Sequence, residues 1–381
     1  MPALSRRRFL GASLALPYAF KAFAAVPQAG GMVYFGCDTS SGAKGIYSAT
    51  WDAAKRTLSQ PALAIATARP SFLAMHGDHV YAVNAVASDA ASVTALARHA
   101  DGALSEINAV PAGGFGPAYI SIHSTGKAAY VANYFSGSIS SYDIHPDGSL
   151  AGPVSHFQYS GHGANPKRQE APHAHSALLS PDERFLLIND LGLDQIHIYR
   201  VDAARPALLT PNSPAAWRAR AGSGPRHLAF LPGGRYAFNV NEIDSTLDVL
   251  AWNAKDGVLT TVGQPVSTVA ADFKGTNTAA EVMVSPDGRF LYTSNRGENS
   301  IAVFGLSAAK GAAPQLTLVQ RISCGGKTPR QITLSPDGNS LLAANQDSSN
   351  VAVFTRDRRS GQLKDTDNSV ALPAPMFILF A

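Results

Sequence analysis

Cysteine is almost missing from this chain: there are two, Cys37 and Cys324, among 381 residues. A disulfide framework is therefore excluded, and neither cysteine has another Cys or a His at metal-ligand spacing. One bridge between the two and two separate thiols both remain open. Charge is scarce as well, at 15% of residues against 45% hydrophobic, which reads as an ordinary globular chain. No segment keeps a 3.6-residue apolar period, so helices should be few. The P-loop, the nucleophile elbow and the dinucleotide fingerprint are all lacking. Turn formers are plentiful instead, with 33 Gly and 24 Pro.

The first 25 residues read as an address. SRRRFL at 5–10 places a basic cluster ahead of a short apolar run that is followed by Ala22-Phe23-Ala24, an A-x-A-like cleavage pattern. This resembles a bacterial twin-arginine (Tat) signal peptide, with cleavage expected after Ala24 or Ala25. The run is too short to span a bilayer core of about 30 Å. Export to the periplasm by the Tat machinery is the expected route, and the mature form should need no membrane. Four of the 31 Lys and Arg, namely Arg6, Arg7, Arg8 and Lys21, lie in this segment, which has no Asp or Glu. The remaining cations balance the 27 acids, so the mature chain has no bulk charge to attract nucleic acid or anionic lipid.

Residues 31–381 are a repeat. SPDERFLLIND (180–190), LPGGRYAFNVNE (231–242), SPDGRFLYTSNR (285–296) and SPDGNSLLAANQ (335–346) are copies of one unit. HSTGKAAYVANY (123–134) and HGDHVYAVNA (76–85) are weaker copies, and MVYFGCD (32–38) is a remnant. Each unit runs strand, turn, strand ending in Asn, turn, third strand and a looser fourth, with Asp-Gly turns supplying positive φ. The Asn markers are Asn84, Asn133, Asn189, Asn241, Asn295 and Asn345, with Cys37 in the first copy, at spacings of about 50 residues. Four short strands per unit of about 50 residues predict an all-β, seven-bladed β-propeller with four-stranded antiparallel blades. First strands precede only six of the seven second strands. APMFILFA (374–381) supplies the missing one, so the C-terminal strand should complete the first blade and hide two sheet edges.

Identity down a column of the repeat serves the fold, whereas variation at one rim can carry function. The residue after each Asn varies: Asp38, Ala85, Tyr134, Asp190, Glu242, Arg296 and Gln346. The first strand begins beside it, with Ser71, Ala118, His175, Arg226, Ala280 and Arg330 in one column and Phe72, Tyr119, Ser176, His227, Glu281 and Gln331 in the next. The polar members, from blades four to seven, should gather at one mouth of the central channel, where a desolvated ring of charge points to a site. A salt-bridge network holding the blades together is the alternative. His173 lies in a two-residue insertion and should overhang this rim. His173 and His175 have metal-ligand spacing, but the neighbouring arginines argue against a bound cation, so neither a metal nor another cofactor is expected.

RQEAPHAHS (168–176), DLGLDQIHIY (190–199), GSGPRHLAF (222–230), NE (241–242), SPDGRFLYTSNRGENSIAVF (285–304) and TPRQITLSPDG (328–338) resemble the seven-bladed lactonases. That family is typified by propeller-type bacterial 6-phosphogluconolactonase and is related to fungal carboxy-cis,cis-muconate cyclase. The resemblance implies hydrolysis of a small-molecule sugar lactone, with His175 (His173 as its rival), Arg226, Glu242 and Arg296 as catalytic residues. Either Glu242 or His175 would be the general base, and Arg226 and Arg296 would stabilise the oxyanion. Arg330 would hold a distal phosphate or carboxylate, with His173, Asp190, His227, Glu281, Gln331 and Gln346 also binding substrate. An exported chain sits awkwardly with a cytosolic phosphorylated lactone, so an unphosphorylated aldonolactone is a second expectation. A cycloisomerase of the muconate-cyclase type and a non-catalytic periplasmic scaffold are the competing functions; a plugged mouth with its arginines paired off would mark the scaffold. A monomer is expected.

Overall fold

The repeat units fold into seven antiparallel sheets. The computed structural model describes residues 31–307 and 312–381; the twin-arginine segment lies outside them. Blade two comprises β5 (Pro70–His76), β6 (His79–Asn84), β7 (Ser92–Arg98) and β8 (Leu104–Pro111). Blade three comprises β9 (Pro117–Ile122) to β12 (Leu150–Gln158), and blade four β13 (Ala174–Leu179) to β16 (Leu209–Arg218). Blade five runs from β17 (Pro225–Phe230) to β20 (Val258–Ser267), blade six from β21 (Thr278–Val284) to β24 (Gln315–Ser323), and blade seven from β25 (Pro329–Leu334) to β28 (Leu363–Ala371). The one helical element among the described residues is a single 3-10 turn at Thr39–Ser41.

Blade one closes the ring. β1 (Gly31–Cys37) pairs on one side with β2 (Gly45–Asp52) and on the other with β29 (Pro375–Phe380), in register Val33 with Phe380 through Gly36 with Phe377. The outer strand is split into β3 (Thr57–Leu58) and β4 (Ala62–Ala66), both paired with β2. Met376, Phe377 and Ile378 are buried, so the apolar tail is the innermost strand of the first sheet.

The burial pattern follows from the radial stacking. Second strands are covered on both faces and read as continuous apolar runs, as in β10 (Ala128–Asn133) and β26 (Ser340–Asn345), where every residue is buried. Outer strands such as β8 and β28 alternate, with one face in water. Apolar packing falls into seven clusters, each shared by two adjacent blades; Val33 and Phe35 of blade one, for example, pack with Leu342 and Val353 of blade seven. The tight turns work as expected: Ser285 and Ser335 hydroxyls donate to Asp287 and Asp337, and Gly288 and Gly338 have positive φ. Both cysteines are buried and unbridged.

The Asn column does more than close its own turn. Asn133, Asn295 and Asn345 each donate to a carbonyl of the segment entering their blade (Ala112, Thr268 and Cys324). They tie each second strand to the crossover from the blade before. In blade four the column member is Asp190, not Asn189. Asp190 pairs with Ala174 as Asn241 pairs with Pro225, whereas Asn189 lies one step inward and bonds Asn239. The consecutive Asn and Asp of FLLIND hid this one-residue offset.

Candidate active site

Every first strand carries the same irregularity. In blade five Pro225 pairs with Asn241 and His227 with Val240, leaving Arg226 without a partner. The same skip isolates Ser71, Ala118, His175 and Arg330, and Met376 in blade one; in blade six Ala280 and Glu281 lie opposite one residue. A β-bulge of this kind bends the strand and re-aims the extra side chain. Here it turns one residue per blade toward the axis, at the end where the inner strands begin.

A cavity of about 270 Å³ lies there, lined by Ser71, Ala118, His175, Arg330 and Met376 of the bulges together with Tyr134, Glu242, Arg296, Arg168 and Arg69. Four arginines thus face one carboxylate. A smaller space below it is lined by Arg226, His227, Glu281 and Gln331.

Glu242 is buried and fully engaged. Arg226 Nε donates to its Oε2 at 3.0 Å, Arg296 Nη2 approaches the same oxygen at 2.7 Å, and Arg168 Nη2 donates to Oε1. Burial alone would raise its pKa, but the charges of Arg296, Arg226 and Arg168 outweigh it and hold the carboxyl well below the usual range. Arg226 also donates to the carbonyl of Ala280 at 2.6 Å. Behind it, His227 Nδ1 lies 3.0 Å from Glu281 Oε1, and its Nε2 faces Arg226 Nη1 at 3.3 Å. Burial and the charge of Arg226 lower the pKa of His227. The neutral tautomer that donates from Nδ1 to Glu281 therefore offers Nε2 as an acceptor to Arg226.

His175 stands apart from this network. Its Nδ1 is buried without a hydrogen-bond partner among the described residues, and its ring meets Tyr134 and His227 edge-on at 5.5 and 5.1 Å. Burial, then the charge of Arg226, pushes its pKa well below the ordinary 6.5, so the imidazole is neutral. Arg330 likewise makes no ion pair or hydrogen bond among the described residues, and burial with the neighbouring Arg296 lowers its pKa to about 10.

Other predicted residues are held elsewhere. Asp190 is wholly buried and accepts from the amides of His173, Gly192 and Leu193, so it anchors a turn rather than facing the cavity. His173 does not overhang the rim: it is buried, stacked on Tyr134 at 4.5 Å and bonded to the Tyr134 carbonyl at 3.0 Å. Gln346 faces Asp38 at 3.4 Å and is not among the residues lining the cavity. Conversely, Arg69 and Arg168 line the cavity without having been singled out. Arg69 precedes the first-strand proline and pairs with Asp38 at 3.3 Å, and Arg168 sits in the segment entering blade four. Both lie outside the repeat columns. The one available signal was that Arg168 opens the RQEAPHAHS stretch.

Comparison with known proteins places the chain in one family. Residues 32–380 fit the family described as "Lactonase, 7-bladed beta-propeller". The chain is 31% identical to the 6-phosphogluconolactonase of Bacillus subtilis over 349 residues, covering 91% of this chain and 97% of that one. The periplasmic gluconolactonase of Pseudomonas aeruginosa superposes with a TM-score of 0.85 at 31% identity, over 92% of this chain and 99% of the other. A protein from Lactobacillus plantarum superposes with a TM-score of 0.86 at 34% identity, over 92% and 99% respectively.

Proposed function

The chain belongs to the family of seven-bladed β-propeller lactonases, and from that membership we propose that it hydrolyses a sugar lactone in the cavity between His175, Arg296 and Arg330. The observation that carries this reading is a neutral, unpartnered imidazole beside an unpaired guanidinium in an open cavity. A scaffold would have no use for either, since a buried imidazole and a half-buried, unpaired guanidinium both cost desolvation.

Of the two candidate bases, Glu242 is unsuited: three guanidiniums occupy its oxygens and hold its proton affinity low. His175 is the general base. Water attacks the lactone carbonyl carbon as the imidazole accepts its proton. Arg330 and Arg296, both on the cavity wall, stabilise the oxyanion that forms. Collapse breaks the bond to the ring oxygen, to which His175 returns the proton, and the aldonic acid so formed loses its proton to solvent and leaves as the aldonate. Arg226 is a positioning residue, fixing Glu242 from behind with His227 and Glu281.

The substrate is an unphosphorylated aldonolactone met in the periplasm. The twin-arginine start and the likeness to a periplasmic gluconolactonase support this choice. The four arginines on the cavity wall disfavour a bound cation, so the reaction uses no metal, and the protein acts as a monomer. A pH-stat assay on gluconolactone with and without its 6-phosphate, repeated in EDTA, tests the reading. Turnover of the unphosphorylated lactone, unaffected by EDTA, is expected. Rates no faster than spontaneous opening for both lactones would refute it.

A further inference from the structure

The cavity is lopsided. Apart from Arg69, its cations and His175 come from blades four to seven, whereas blades two and three contribute the small residues Ser71, Ala85, Gly116, Pro117 and Ala118 together with the aromatics Tyr134 and Phe135. On that side stand two exposed aromatics. Five large apolar side chains are exposed among the described residues, and the two aromatic ones, Phe115 (42%) and Phe135 (52%), are backbone neighbours here. The Phe135 amide donates to the Phe115 carbonyl at 3.1 Å, and Phe135 itself lines the cavity.

Phe135 is held in place rather than left loose. Its ring meets Tyr134 edge-on at 5.5 Å, and it lies against Gly116, where an added Cβ would come within 2.1 Å of the ring. Gly116 also has a φ of +57°, so the bare backbone both makes the turn and lets the aromatic lie flat. Polar groups flank the rings: the Ser136 hydroxyl accepts from the Phe115 amide at 3.1 Å, and Arg168 is partly exposed. An apolar face edged by hydrogen-bonding groups matches a pyranose, which shows carbon–hydrogen bonds on its faces and hydroxyls around its rim.

We propose that Phe135, with Phe115 beside it, forms a second sugar subsite, so that the preferred substrate is a disaccharide-derived lactone. This rests on the lactonase reading: the lactone ring lies toward His175 and Arg330, and the second pyranose stacks on Phe135. The assay compares kcat/KM for cellobionolactone and gluconolactone, and calorimetry compares the product acids, cellobionate and gluconate. The disaccharide is expected to be favoured about tenfold in both, which is about 1.4 kcal/mol. Phe135→Ala should bring both ratios to about one, and Phe135→Tyr should restore them. Equal values in the wild type, or ratios unmoved by Phe135→Ala, would overturn the subsite while leaving gluconolactone hydrolysis intact. If neither lactone is hydrolysed, the lactonase reading fails and the binding ratio alone decides the subsite. A concentration-dependent dimer abolished by Phe135→Ala, with ratios near one, would assign the aromatics to a self-interface instead.

Discussion

Arg226 Nε donates to Glu242 Oε2 at 3.0 Å, and neither side chain is more than 5% exposed. Among the described residues Glu242 is the one carboxylate that forms an ion pair with the guanidiniums of Arg168, Arg226 and Arg296. Removing it would leave buried cations facing one another. Glu242→Ala should lower stability by about 3–5 kcal/mol, the usual cost of breaking a buried pair from one side. Urea unfolding followed by circular dichroism measures this, and a loss below about 1 kcal/mol would show that the cluster relaxes into solvent.

His175 presents the opposite case. No described residue bonds its Nδ1, so His175→Gln should leave stability within about 1 kcal/mol. As the general base its loss should lower kcat/KM by about 10²- to 10⁴-fold. Parallel unfolding and pH-stat measurements separate the two effects.

The same residue sets the response to acid. The folded-state pKa of His175 lies well below 6.5, so below pH 6.5 the unfolded chain binds more protons than the folded one. Stability therefore falls as pH drops below 6.5. A further decline begins near pH 4.5, the ordinary value for a glutamate, because the folded-state pKa of Glu242 is also depressed. The imidazole stays deprotonated through the first window, so the acid limb of kcat/KM should lie below pH 6.5. A limb above that value would assign the base elsewhere.

Arg330 has no partner to strand. Arg330→Gln removes a half-buried charge with no ion pair among the described residues, so the melting temperature should hold or rise. Catalysis should lose about 10²-fold if this guanidinium meets the oxyanion. Stability and activity moving together in this variant would argue against that role.

Deleting residues 375–381 tests closure of the ring. β1 would lose its inner partner and the Met376–Phe377–Ile378 packing, leaving sheet edges open. Size-exclusion chromatography should show aggregates in place of the wild-type peak.

The seven-unit architecture and the C-terminal closure were legible because both are periodic: Asn and Asp-Gly recur about every 50 residues, and MFILF supplies the one missing first strand. What broke the period was not. The Asp190 offset arose from adjacent Asn and Asp, and it moved one expected binding residue into a turn. The contrast between His173 and His175 depends on the bulge, which turns one toward the cavity while the other packs under Tyr134. Arg69 and Arg168 reach the cavity from connecting segments, whose direction no column of a repeat encodes. The state of Glu242, a carboxylate with no free oxygen, depended on all three of its arginines being in place.

The bulges have a consequence for how such a molecule can change. At the axial end of each sheet a residue stands outside the ladder, so exchanging it disturbs no cross-strand pair. Methionine, serine, alanine, histidine and arginine all occupy that slot in this chain. The scaffold behaves as a socket with interchangeable pins: new chemistry can be fitted at its centre while every hydrogen bond that builds the wall stays as it was.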